Sequence, residues 1–455
     1  MNPRSHLYLI LAALLLVHLL YFTSSRLFPP SPLPDSEEYL QASRNLYRQG
    51  VLYCGDLSEP IREELFTRRP PLYPLMIGAT AASGSVVPLY LLQILLSLFS
   101  IWMVANIFAP SLRDVQPIEN VGYTATANKR FYFLMFLMLL ATPAQFIYAN
   151  RVMAEIPFQL ILVLMACCVY RYFSHAGHQR RYVWSFYLLL TLGMATNPVL
   201  FPFLLPAALL SVFLFFRTRQ RAWITALFLP VIWVAAYSLY NFNRTGSAQY
   251  ASIQTANLVN YNLRYYLVSR EGSEKASAVV DELYEQCGDQ VDYKEKNQCL
   301  SEGAREMLLR HPVQYGIFHL KGSVRYFMDP GRFDLVTFFH LSKAGSSGAL
   351  EVLNAEGTGG LIRFLRSQGW GMVLALGVIA LFKLFKLSGF LIYLFRGKRD
   401  LAFRIFLALL VGYLALVTGP LGASRFYLPV ELMVIGAALK GWLPLLGRKL
   451  TPERA

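Results

Sequence analysis

Ten blocks of apolar residues, each at or near the length that crosses a bilayer, leave this chain few ways to fold. They run over 7–22, 89–108, 131–147, 154–173, 183–196, 199–216, 223–240, 369–395, 402–420 and 427–446. A helix needs about 20 predominantly apolar residues to cross the hydrocarbon core, because each residue adds roughly 1.5 Å of rise. The expected architecture is therefore an all-α polytopic membrane protein with about ten transmembrane helices. Composition agrees, with 55% apolar and 15% charged residues where a soluble domain carries about 25% charge. The net charge of +15 does not point to nucleic acid, because Lys and Arg punctuate the apolar blocks instead of covering a soluble face. Five Cys are too few for a disulfide-dense scaffold, and the apolar content lies far above the disordered range.

Pro198 separates two of the blocks, since it lacks an N–H and biases Asn197 away from helix; Thr196-Asn197-Pro198 reads as a tight turn. With the N-terminus inside, each expected inner loop is basic: Arg113, Lys129 and Arg130; Arg171, Arg180 and Arg181; Arg217, Arg219 and Arg221; Arg396, Lys398, Arg399 and Arg404; and Arg448, Lys449 and Arg454 in the tail. Two long segments, 23–88 and 241–368, then face outward. The chain divides into an N-terminal membrane module 1–240 that includes outer loop 23–88, an outer, mostly helical segment 241–368, and C-terminal helices with a basic tail, 369–455. The first block also fits a cleaved signal peptide, but no A-x-A site follows it and it is read as an uncleaved span. Within 273–310 the pattern gives two amphipathic helices around a polar turn, flanked by Cys287 and Cys299, which form either a disulfide or two free thiols. Cys167 and Cys168 lie inside a span and read as packing residues. No internal repeat is visible.

Ionisable groups in a membrane are functional candidates by default. Almost none are expected at mid-depth; Asp35, Arg68, Arg69, Arg151, Glu155, Arg425 and Glu431 instead fall at or just inside the outer ends of spans. Each has a plainer reading. Asp35 with Glu38 three residues on resembles a capping box, although Tyr39, Ala42, Ser43 and Leu46 share a face of the short helix that Asp35 opens. Arg68 and Arg69 precede the stiff Pro70-Pro71 step and suit either a bidentate phosphate clamp or lipid head groups. Arg151 and Glu155 are spaced i, i+4 and could simply pair with each other. No Walker loop, G-x-G-x-x-G, H-E-x-x-H or C-x-x-C occurs, and His175 and His178 read as solvated.

The ordered motifs resemble those of the polyprenyl-phosphate-sugar-dependent glycosyltransferases with the GT-C fold, in the branch holding protein O-mannosyltransferases and the lipid A aminoarabinose transferase. The motifs are Asp35-Ser36-Glu37-Glu38-Tyr39 after the first span, Arg69-Pro70-Pro71, Glu155-Ile156-Pro157, Asn243-Arg244-x-Gly246, His311-Pro312-x-x-Tyr315 and Arg425-Phe426-Tyr427-x-x-Pro429. The resemblance implies a GT-C bundle with a small helical outer cap, Asp35 as catalytic carboxylate, Glu155 as second acidic position, and Arg69 at the donor phosphate. Arg68, Arg425, Tyr39 and Arg151 complete the expected donor-binding set. The partners implied are a polyprenyl-phosphate sugar, the bilayer, and an acceptor lipid, glycan or protein, with no nucleic acid. The site would face outward from a bacterial cytoplasmic membrane. No cofactor is called for; a divalent metal on Asp35 and Glu155, with Glu37 and Glu38 also hard oxygen donors, is the alternative. The rival readings are an O-antigen polymerase or ligase and a lipid or solute transporter, for which inverted repeats, broken helices and polar groups at the bilayer midplane would be the signs, none of them clear in this sequence.

Overall fold

The computed structural model describes residues 3–80, 84–110, 121–174, 179–288, 292–341, 369–396 and 400–447, with 359–360, 362–364 and 366–367. Arg113, His175, His178, Lys398, Arg399, Arg448, Lys449 and Arg454 lie outside these residues. The described residues are helical, without strands. In order they are α1 (Pro3–Leu27), α2 (Pro34–Gln49), α3 (Leu72–Thr80), α4 (Val87–Phe108), α5 (Val121–Leu140), α6 (Pro143–Ala149), α7 (Glu155–Ser174), α8 (Arg180–Thr196), α9 (Leu204–Thr218) and α10 (Ala222–Thr245). There follow α11 (Ile253–Asn257), α12 (Arg264–Glu271), α13 (Ser273–Gln286), α14 (Tyr293–Leu309), α15 (Pro312–Met328), α16 (Arg332–Phe339), α17 (Trp370–Phe395), α18 (Leu401–Val417) and α19 (Ser424–Gly447).

Seven of the expected spans form helices long and apolar enough to cross a membrane: α1, α4, α7, Pro198–Thr218, α10, α17 and α19. An eighth, expected over 131–147, is broken: Thr126–Leu140 and Pro143–Ala149 meet at 66°. Pro143 has no N–H to continue the ladder, and Thr142 before it leaves the helical region (φ −125°, ψ 67°). The other two expected spans are the helices α8 and α18, each 17 residues long, roughly 25 Å at 1.5 Å per residue. The turn expected at Asn197 is present: its backbone is extended and its Oδ1 accepts from Val199 N at 3.1 Å.

α19 is the axis of the bundle, with every residue from Tyr427 to Leu439 buried, and it packs on α4, α5, α7 and α17. Large side chains on the outer helices face away from protein, among them Leu16 and Leu20 on α1, Phe213 and Phe216 on α9, and Leu374 and Leu381 on α17. Contiguous apolar surface of this kind needs a bilayer to cover it. Inside, a polar network staples five helices. Gln145 and Gln159 exchange hydrogen bonds at 2.8 and 3.0 Å, Gln159 donates to the Leu428 carbonyl at 2.7 Å, and Gln145 donates to Ser97 Oγ at 2.8 Å. His18 Nε2 lies 3.0 Å from the same Ser97 hydroxyl.

The expectation of an almost uncharged mid-depth does not hold. Lys383 and Lys386, near the middle of α17, and Glu431 on α19 are all buried, with Lys386 Nζ 2.8 Å and Lys383 Nζ 4.0 Å from Glu431 Oε1. Glu431 therefore belongs to this internal cluster and not to the span-end group. The two amphipathic helices expected in 273–310 are α13 and α14, and Cys287 and Cys299 are joined in a disulfide. Val259, Leu263, Val280, Leu283, Ala304 and Leu308 give that segment its own apolar core.

Candidate active site

The capping alternative for Asp35 fails on local geometry. Pro34 occupies the first turn of α2, the position before it is the extended Leu33, and no side chain caps the helix. Asp35 is thus already helical, one turn before Glu38, so both carboxylates lie on one face. That face meets the loop carrying Arg68 and Arg69. Arg69 donates from Nη2 to Asp35 Oδ1 at 2.5 Å and from Nε to Glu38 Oε2 at 2.6 Å, while Arg68 Nε donates to Glu38 Oε1 at 3.2 Å. The head-group reading of Arg69 is set aside with this geometry, because its residue exposure is only 7%. Tyr39 stands behind it, ring centroid 5.0 Å from the guanidinium carbon, and is itself wedged edge-on against Tyr73. Tyr39 therefore positions Arg69; Glu37 points outward.

The second oxygen of Asp35, Oδ2, accepts from Arg425 Nη2 in the first turn of α19. Arg425 also faces Glu155, Nε to Oε1 3.7 Å, at the start of α7. The alternative in which Arg151 simply pairs with Glu155 is not what forms. α7 begins only at Glu155, and Arg151 turns instead to Thr337 Oγ1 at 2.8 Å, 5.7 Å from the ring of Phe338. Its Nε and Nη1, like Arg425 Nε and Glu155 Oε2, are buried without a hydrogen bond. Gln93 fixes this corner by donating to the Arg151 carbonyl at 2.8 Å.

Side-chain exposures of 24% for Arg425, 21% for Asp35 and 19% for Glu38, against 9% for Arg69 and Glu155, describe a cluster open on one side and closed beneath. Burial alone would raise the Asp35 carboxyl, but the guanidinium groups of Arg425 and Arg69 hold it well below the usual carboxylate range. Burial lowers the Arg151 guanidinium from its ordinary value and pushes the Cys54 thiol beneath Arg69 up to about 12. Asp35, Glu38 and Glu155 face Arg68, Arg69 and Arg425, three carboxylates against three guanidiniums. Both Asp35 oxygens are occupied in this way, and among the described residues no group of three or more His, Cys, Asp or Glu is placed to hold a metal. A divalent ion held here would draw its remaining ligands from water or phosphate oxygens, as magnesium does when one or two carboxylates bind it.

The structure adds a residue that the sequence did not single out. Asp334 in α16 accepts from Tyr148 OH at 2.6 Å and from Ser424 Oγ, and Asp329 Oδ2 accepts from Ser424 N at 2.6 Å. Two carboxylates, Asp329 and Asp334, thereby clamp the residue immediately before Arg425. Burial raises the Asp334 carboxyl in spite of both hydrogen bonds. Asp329-Pro330-Gly331 is a turn signal in sequence, but nothing in it points to Ser424, 95 residues on.

No protein-family model matches the chain, and no curated protein matches it. Solved structures match over 98% of it: ArnT from Cupriavidus metallidurans in the apo state (14% identity, 81% of that chain, TM-score 0.38) and the same protein bound to undecaprenyl phosphate (14%, 81%, 0.37). It is also similar to the archaeal oligosaccharyltransferase AglB from Archaeoglobus fulgidus in complex with an inhibitory peptide and a dolichol-phosphate, at 13% identity and TM-score 0.43, spanning 52% of that chain.

Proposed function

We propose that this chain is an integral membrane glycosyltransferase that moves a monosaccharide from a polyprenyl-phosphate carrier to an acceptor lipid, glycan or protein at the outer face of a bacterial cytoplasmic membrane. One observation carries the reading: a single carboxylate, Asp35, lies at the edge of the span bundle between Arg69 and Arg425, residues 34 and 390 positions away. Such a cluster can hold a phosphate and accept a proton in the same place.

The carrier phosphate enters beside the unfilled N–H groups of Arg151 and Arg425, where charge-assisted bonds are strongest. It competes with Asp35 for Arg425, and the chain of the carrier lies between spans. As guanidinium charge moves to the phosphate, Asp35 recovers basicity and takes the proton of the acceptor hydroxyl while that oxygen attacks the anomeric carbon. The bond to the carrier phosphate breaks, and Arg425 and Arg151 stabilise the departing anion without protonating it. Glu155 holds Arg425 from below. One displacement inverts the anomeric centre. If the acceptor is itself a phosphate, Asp35 orients it and removes no proton.

The test is consumption of labelled polyprenyl-phosphate monosaccharides in membranes containing the parent or Asp35→Asn. Turnover lost in a well-expressed variant supports the reading; equal turnover, or an anomer retained in the product, refutes it. The buried Lys383–Lys386–Glu431 cluster favours a second reading, a transporter. Substrate flux into proteoliposomes, abolished by Glu431→Gln and untouched by Asp35→Asn, would establish that alternative instead.

A further inference from the structure

α15 carries a feature that the proposed reaction does not use. Val313, Ile317, Leu320 and Val324 recur at helical spacing along it and are 73, 53, 58 and 62% exposed. The helix lies outside every candidate span among the described residues, yet one side of it is a continuous apolar stripe that stays largely exposed. Scattered exposed leucines are ordinary, whereas a stripe along one helix face marks a surface that something covers.

The other side of α15 fixes its depth. His319 Nε2 lies 2.7 Å from the Leu416 carbonyl and Ser323 Oγ donates to the Ala415 carbonyl at 3.1 Å, both in the last turn of α18. Gly322 is pressed so closely on the turn after α18 that a Cβ there would stand 2.6 Å from Pro420 Cα. Leu409, Leu416 and Val417 on α18 are themselves 55, 50 and 41% exposed, as residues facing lipid are. α15 is thus anchored at the level where α18 ends, with the stripe on the side turned away from these contacts. Beside the stripe come Gln314 and Lys321, both exposed, and then Arg325. An apolar face bordered by cationic side chains is the pattern of a helix lying in the plane of a membrane interface.

We propose that α15 is such a helix: it lies flat in the leaflet bordering the candidate active site, with Val313, Ile317, Leu320 and Val324 among the upper acyl carbons and Lys321 and Arg325 toward anionic head groups. Only the Asp329-Pro330-Gly331 turn separates it from α16. The bilayer surface therefore seats the segment whose Asp329 and Asp334 hold Ser424. This inference stands whether or not the chain transfers sugars.

The experiment uses the full chain in nanodiscs of phosphatidylcholine and phosphatidylglycerol. Cys54, Cys167 and Cys168 are replaced by Ala, the disulfide is kept, and one nitroxide is placed in turn at Gln314→Cys, Ile317→Cys, Leu320→Cys, Lys321→Cys and Val324→Cys. Labels at 317, 320 and 324 should collide several-fold more with oxygen than with an aqueous nickel chelate, and those at 314 and 321 should show the reverse order. Adding Leu320→Glu with Val324→Glu should shift the label at 317 toward the nickel reagent. Equal nickel accessibility at all five positions places α15 in water and overturns the proposal. Dipolar broadening between labels at 320, with neither reagent admitted, places a second copy of the chain on the stripe and overturns it equally.

Discussion

The sharpest consequence of the geometry concerns the protonation of Asp35 with and without carrier. In the free protein two guanidiniums hold its carboxyl well below the usual range, so Asp35 is a weak base until they move. An ion pair at contact distance is worth about 4 kcal/mol at the effective dielectric of a partly buried site. A guanidinium–phosphate pair returns a similar amount, so carrier binding can release Asp35 at little net cost. The acid limb of kcat/KM, which reports the free protein, should then lie well below pH 4. The limb of kcat, which reports the complex, should return to near the ordinary aspartate value of about 4. Asp35→Asn should lower kcat by roughly 100- to 10,000-fold, about 3–5 kcal/mol, the range lost with a general base. It should destabilise by about 3 kcal/mol, the low end for breaking a buried pair, because Glu38 and Glu155 still face the arginines. The stability linkage has a definite sign. A depressed folded-state value means that the contribution of Asp35 is present above the unfolded value near 4 and is lost as pH falls through the folded one. Thermal unfolding near neutrality should thus show no pH dependence from this residue. The assay is donor consumption in proteoliposomes across pH, at saturating and limiting carrier. Coincident acid limbs for kcat and kcat/KM would refute the exchange of arginines.

Other consequences are simpler to check. Arg151→Met removes a buried guanidinium with two unfilled nitrogens; the melting temperature should hold or rise while carrier affinity falls roughly 10- to 100-fold, about 1.5–3 kcal/mol for lost charged hydrogen bonds. Glu431→Gln leaves Lys383 and Lys386 buried without a counter-charge and should destabilise by about 3–5 kcal/mol in detergent, with Glu431→Met plus Lys386→Met recovering part of the loss. Opening the Cys287–Cys299 disulfide, which closes a loop with sequence separation 12, should cost about 3 kcal/mol by the loop-entropy relation, seen as earlier proteolysis within α13 and α14 under reductant. Asp334→Asn should keep the fold but lower kcat more than carrier affinity, because it loosens Ser424 and hence Arg425; a binding loss without a change in kcat would count against that role.

Which charges meet was the part that the chain order concealed. Asp35 and Arg425, 390 residues apart, share one contact, whereas Arg151 and Glu155, in perfect helical register, do not. The register argument failed because the helix begins at Glu155 and leaves Arg151 in a turn. Lys383, Lys386 and Glu431 were visible as letters, but an apolar window averages over a few charges, and only packing showed that they meet. Asp334 lay in the long segment between α10 and α17, with no periodic signal tying it to the bundle.

The sequence alone determined that the chain lives in a membrane, roughly where its helices run, and that Asp35, Arg69, Glu155 and Arg425 sit at their ends. These are consequences of length and hydropathy, properties that each segment carries by itself, and they set a residue's depth. The tertiary structure decided everything that depends on rotation about a helix axis and on which helices are neighbours. Each residue turns a helix by about 100°, so a shift of one position swings a side chain from partner to lipid. Depth without rotation brings charges to the same level of the bilayer; the packing of α2, α7 and α19 selects which of them touch.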